Sequence, residues 1–302
     1  MKKNYLYKIL LFCTLIIAGS CNKDFLDVAP GDEYSEVDVF GDPTLIEIYV
    51  NGIYGSLTNP VCGSDGVLKA EYVDEAHDMW YGFSEFNNCI ITKDADQNWW
   101  FEYWGRLYGS IRRCNIFLEK VDQCKFDNNL VDGKLLKDRL MGEVYFLRAY
   151  MYHQLVSLYG GVPIIDKTYN LSDNFKIARN TYAESIDFIV KDCDLAASLL
   201  PLVNTGNNKG RATKGAALAL KSEVLLYAAS ELHNNNSKFS SFSKPDLLGY
   251  TQGTSRDRWL AAKNAAKAVM DLGMYSLYKA TPSSGDDIAQ NYSDIFISSG
   301  TD

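Results

Sequence analysis

Four of the five tryptophans, Trp80, Trp99, Trp100 and Trp104, fall in one short region of this 302-residue chain. Tyr81, Phe83 and Asn98 stand among them. Flat aromatic faces beside amide or carboxylate groups suit noncovalent capture of a ring with C–H groups on its faces and hydroxyls at its edge, as in sugars. Trp100 shares a helical stripe with Trp104 and Tyr108, which marks these three as core residues. Trp99 lies about 100° around the helix from Trp100 and off that stripe, so it is the better ligand candidate. Asn98 precedes it as a hydrogen bonder. Trp80 and Tyr81 lie in a loop, where binding and loop packing are both open to them.

The same region offers Asp74, Glu75, Asp78 and Glu85. Glycoside hydrolysis needs two carboxyl groups about 5 to 9.5 Å apart with one pKa raised, whereas acidic residues in a solvated loop ordinarily stay solvated. The sequence contains no nucleophile elbow, phosphate-binding glycine loop or metal motif. The three histidines, His77, His153 and His233, are isolated, and no two of the seven cysteines form a CxxC pair. They read as incidental histidines and structural thiols, so neither a metal nor a cofactor is expected. A net charge of −8 argues against a nucleic-acid partner, because such binding rests on Lys and Arg neutralising phosphates. These residues point to capture without turnover.

The elements that must position them are helices. Asp42 caps a helix with Pro43 in its first turn, and Leu45, Tyr49, Ile53 and Leu57 form its apolar stripe. Residues 58–98 break the pattern and read as a long structured loop, a length at which function outweighs mere connection. Trp100, Trp104, Tyr108 and Ile111 then open a second helix. Leu140, Val144, Leu147, Met151, Leu155 and Leu158 mark a stronger one, stopped by Gly160-Gly161 with Pro163 beyond. Thr181 and Glu184 form a capping box for the next, with Ile186, Ile189, Val190 and Cys193 inward and Leu200-Pro201 at its end. Thr213 caps an alanine-rich helix, and the last clear helix covers residues 259–272 before Gly273. No strand array is predicted. The expected fold is mainly α, with degenerate tetratricopeptide-like helix pairs and long loops. The polar residues 231–258 intrude between two helices that should pair.

Lys2 and Lys3 precede an apolar run at residues 9–18. The run is shorter than the roughly 20 residues a membrane span requires, and it has the layout of a secretory signal. Ala18, Gly19 and Ser20 followed by Cys21 resemble the bacterial lipoprotein signal, in which that cysteine is acylated and becomes the new N-terminus. The usual pattern prefers Leu or Val where this chain has Ala18. Ordinary secretion with Cys21 in a disulfide is the alternative. On the lipoprotein reading, residues 1–20 are the signal peptide and Cys21 carries the lipid, which leaves Cys62, Cys89, Cys114, Cys124 and Cys193. That odd set keeps at least one thiol free or bonded outside the chain.

DFLD after Cys21, WGRLYGSIRRCN, GEVYFLRAYMYHQLVSLYGGVPII, RNTYAESIDFIVKDCDLAASLLP and GRATKGAALALKSEVLLYAAS, in that order, resemble the SusD/RagB family of nutrient-uptake lipoproteins. Residues 142–165 are the most diagnostic, and the resemblance assigns residues 21–302 to one SusD-like domain. It implies a lipid-anchored protein at the extracellular face of the cell outer membrane. Such a protein lies over a SusC-like TonB-dependent transporter and captures glycans or peptides, without being an enzyme. In glycan-binding members of the family, aromatics in this region contribute to the site, which agrees with Trp80, Tyr81, Asn98 and Trp99 as the carbohydrate-binding candidates. The resemblance also implies that Lys23-Asp24 resembles a surface-export signal. Family members are usually longer and this chain shows no closing helix, so the C-terminal part of the pattern is expected to be missing. An anchored glycoside hydrolase and a protein-binding helical adaptor are the competing classes.

Overall fold

The computed structural model describes residues 34–57, 103–234, 239, 241–277 and 285–297. Among them are eight α-helices: α1 (Glu36–Gly41), α2 (Pro43–Tyr54), α3 (Tyr103–Lys120), α4 (Leu136–Tyr159), α5 (Tyr182–Leu199), α6 (Lys214–Ala229), α7 (Ser255–Met270) and α8 (Ile288–Ile297). The fold is mainly α, as the periodicity predicts. Helices α3 to α7 stack in chain order, each against the next, and α2 also packs on α4.

Local chemistry fixes the helix starts. Asp42 Oδ1 accepts from the Thr44 and Leu45 N–H groups at 2.7 and 3.2 Å, with Pro43 at the first helical position. Thr181 and Glu184 form the predicted capping box, and the Thr213 side chain accepts from the Ala216 N–H. Each cap satisfies amides that would otherwise lack a partner at a helix N-terminus.

The α2 stripe falls partly one position away from the expected one. Ile46, Val50 and Ile53 are buried, while Leu45, Tyr49 and Leu57 lie at the edge. Tyr49 gains from the edge, where its hydroxyl donates to the Arg113 carbonyl at 3.0 Å. Helix α4 sits at the centre and buries side chains around most of its circumference, including Leu140, Val144, Leu147, Met151 and Leu155. Leu158, placed on the same stripe by the sequence, is exposed. Helices α6 and α7 pack on each other and bury small residues, Ala217 with the end of α5, Ala228 in the main cluster, and Ala262 and Ala265 on α7. The polar stretch between those helices holds two 3-10 turns, Glu231–His233 and Pro245–Leu247, and does not prevent their pairing.

Two elements depart from expectation. Leu130–Val131 and Lys134–Leu135 form a two-residue antiparallel hairpin, whose turn places Asp132 and Gly133 at φ 55° and 75°. Asp-Gly is a strong hairpin signal because both positions need positive φ. Helix α8 corrects the expectation that no helix follows Gly273. The interior holds one large apolar cluster around α4 and a smaller one between the end of α5 and the start of α6.

Candidate functional site

Cys21, Trp80, Tyr81, Asn98 and Trp99 lie outside the described residues, as do Trp100, Asp74, Glu75, Asp78 and Glu85. The described structure begins again in α3, just after Trp99, and there it corrects one expectation. Trp104, assigned to the core by its stripe, is 38% exposed at the start of α3. The face α3 buries against its neighbours runs instead through Leu107, Ile111, Cys114 and Phe117.

The Trp104 indole is held by other rings. Its centroid lies 5.1 Å from Tyr108 and 5.1 Å from Tyr159, the latter edge-on. Tyr108 meets Tyr152 at 6.3 Å, and Tyr152 meets Phe188 at 5.0 Å, both edge-to-face. This aromatic row runs from the surface on α3 through α4 to α5, in geometries that add to area burial.

The row is pinned to the extended segment after the double glycine. Tyr108 donates to the Pro163 carbonyl at 2.6 Å. Tyr152 accepts from the Ile165 N–H at 2.7 Å, and the Asn115 amide donates to the Ile165 carbonyl at 2.9 Å. Ser185 and Asn180 accept from the Val162 and Ile164 N–H groups at 3.3 and 3.0 Å. Side chains of three helices thus supply partners that a lone extended strand lacks. Burial pushes the Tyr108 and Tyr152 phenols above their ordinary range, which keeps them protonated and able to donate.

Beneath this segment, Arg148 grips Asp192 with a fork, Nε to Oδ2 at 2.7 Å and Nη2 to Oδ1 at 2.9 Å, and donates to Asn115 Oδ1 at 2.8 Å. A second charged group joins α2, α4 and the loop before α6. Arg139 donates to Glu47 at 2.6 Å, and Arg211 donates to Glu143 at 2.9 Å. Burial raises the Glu143 carboxyl while Arg211 and Arg139 pull it back down. A raised carboxyl is the acid a hydrolase requires, but Glu143 is 0% exposed and its position serves structure.

Cys114, Cys124 and Cys193 are buried free thiols. Among the described residues no group of three or more His, Cys, Asp or Glu could hold a metal ion. His153 and His233, isolated in the sequence, line one cleft. Only tertiary stacking brings them together, so spacing carried no signal of it.

The SusD-like family, described as starch-binding and associating with the outer membrane, matches residues 24–226. A SusD-like protein of Formosa agariphila is 26% identical over 262 residues, which cover 85% of this chain and 48% of that protein. A SusD-like protein of Bacteroides ovatus is 21% identical over 290 residues, covering 95% of this chain and 46% of the relative. The chain therefore spans about half the length of the curated relatives it matches. The crystal structure of a SusD-like protein from Bacteroides fragilis superposes with a TM-score of 0.61 at 28% identity, covering 88% of this chain and 44% of that one. With the family match extending over most of the helical stack, the chain belongs to the SusD-like family.

Proposed function

We propose that this protein captures glycans, or oligopeptides, at the extracellular face of the outer membrane and passes them to a SusC-like TonB-dependent transporter. The observation that carries the reading is the family match over residues 24–226, to proteins described as starch-binding and associated with the outer membrane. The aromatic region supplies matching chemistry. Trp80, Tyr81, Asn98 and Trp99 are the proposed ligand contacts, and the exposed Trp104 indole adds a face close to Trp99 in the chain. Cys21 is the proposed lipid attachment site, and the protein acts by binding rather than by turnover.

Two experiments test this. Purification of the acylated protein from its native membrane is expected to bring a TonB-dependent barrel with it, and recovery without any barrel would sink the transporter partnership. Titration with an oligosaccharide panel is expected to give saturable binding without product, weakened by Trp80→Ala or Trp99→Ala. Binding unchanged in both variants would remove the site assignment, and product formation would remove the non-enzymatic reading.

A further inference from the structure

The described helices hold a cleft of their own. It opens between the later part of α4, the start of α5, helix α6 and the turn Glu231–His233, with a volume of about 300 Å³. That is the small end of the range for ligand pockets, roughly 300 to 1,000 Å³. Val156, Ile186 and Val224 give it an apolar floor. One wall is the Tyr182 ring stacked on the His233 imidazole, with centroids 4.3 Å apart and planes 14° from parallel. Tyr227, 58% exposed, stands at the mouth.

Its polar groups include two acceptors, beside Gln154 and Ser157, which can also donate. His233 Nδ1 lies 2.9 Å from the Leu248 carbonyl oxygen. A carbonyl can only accept, so Nδ1 carries the proton, and in the neutral ring Nε2 is left with a lone pair. Glu223 adds a carboxylate at the rim, 3.5 Å from His153 Nε2. Among the described residues lining the cleft there is no Lys or Arg. Such a lining disfavours an anion and favours a donor-rich cation. An ammonium is attracted both to a carboxylate and to the face of a tyrosine.

We propose that this cleft binds a small hydroxylated primary amine. The ammonium sits against Glu223 and Tyr227, a hydroxyl donates to His233 Nε2, and the carbon skeleton covers the apolar floor. Calorimetric titration of the full chain with glucosamine near neutral pH tests it, with glucose and N-acetylglucosamine as uncharged controls of similar shape. Saturable glucosamine binding is expected, with both controls at least about tenfold weaker. Glu223→Gln removes one charge-assisted hydrogen bond and is expected to lower affinity about tenfold. The side chain is 56% exposed, so this variant is expected to keep its fold, which circular dichroism checks. Glu223→Gln is expected to leave binding of the oligosaccharide panel unchanged, which distinguishes this cleft from the site proposed at Trp80 and Trp99. Glucosamine binding no better than glucose, or unaffected by Glu223→Gln, would overturn the proposal.

Discussion

Arg148 shows how much one buried side chain can organise. Its guanidinium is forked onto Asp192, it donates to Asn115, and Asn115 in turn holds the carbonyls of Ile165 and Lys167 at 2.9 and 3.2 Å. The Phe188 ring lies 5.1 Å from its central carbon. Burial raises the Asp192 carboxyl and Arg148 pulls it back, so the two charges depend on each other inside the core. Removing one partner should cost more than removing both, because a lone buried charge is the expensive state. Arg148→Met is expected to lose about 3–5 kcal/mol of stability in urea denaturation, and adding Asp192→Leu to recover part of that loss. A double variant as unstable as the sum of the singles would show that the pair is not coupled. The thiols make a simpler case. Burial pushes Cys114 and Cys193 up to about 12, far from the thiolate that reacts. Iodoacetamide at mildly alkaline pH is therefore expected to leave both unmodified in the folded protein and to label both in urea, as read by peptide mass mapping. Labelling at equal rates in the two states would contradict the burial.

At the scale of elements, the double glycine that ends α4 is a packing requirement. Gly160 has φ 73°, and a Cβ there would lie 2.3 Å from the Leu247 carbonyl oxygen; at Gly161 it would lie 2.2 Å from the Asn180 carbonyl oxygen. Alanine at either position must displace backbone, and each is expected to cost about 1–3 kcal/mol. Gly105, inside α3 with open space around it, is the control of opposite sign. Gly105→Ala is expected to gain about 0.5–1 kcal/mol, and thermal melts of the three variants decide whether the signs differ as stated. The caps give a pH dependence. The Leu45 and Thr44 amides hold the Asp42 carboxyl below its usual value, and the Thr181 amide and hydroxyl do the same for Glu184. A carboxyl depressed in the folded state stabilises it above the unfolded pKa, and that contribution is lost as pH falls through the lower folded value. Burial raises Glu143 and Asp192, which gives them the opposite sign. The difference between the wild type and the Asp42→Asn, Glu184→Gln double variant therefore isolates the caps. The wild type is expected to lose melting temperature more steeply in acid, and parallel acid limbs would refute this. These caps and the glycine stop were legible in sequence because their chemistry is local. Trp104 was not, since which face of α3 is buried depends on where α4 and the 162–165 segment pass.

For the whole molecule, the helical scaffold followed from periodicity and caps, while the candidate binding region followed only from residue types. Trp80, Tyr81, Asn98 and Trp99 are sugar-binding candidates by residue type alone, and they lie outside the described residues. His153 and His233 were not legible as neighbours, since stacking of α4 to α6 brings them to one cleft. Attachment to the membrane rests on different physics and allows a sharper test. Among the described residues no helix is long and apolar enough to cross a bilayer. The net charge of −8 also disfavours adsorption to an anionic lipid surface. Anchoring by Cys21 would then depend on acyl chains, each methylene contributing about 0.8 kcal/mol, with more than one chain needed for a stable hold. Detergent phase partitioning reads this independently of any transporter. The protein made in a host that processes lipoproteins is expected to enter the detergent phase, in high salt as in low, and Cys21→Ser to move to the aqueous phase. A Cys21→Ser protein that still followed the detergent would place its hold on the membrane elsewhere, and wild-type partitioning abolished by salt would make that hold electrostatic.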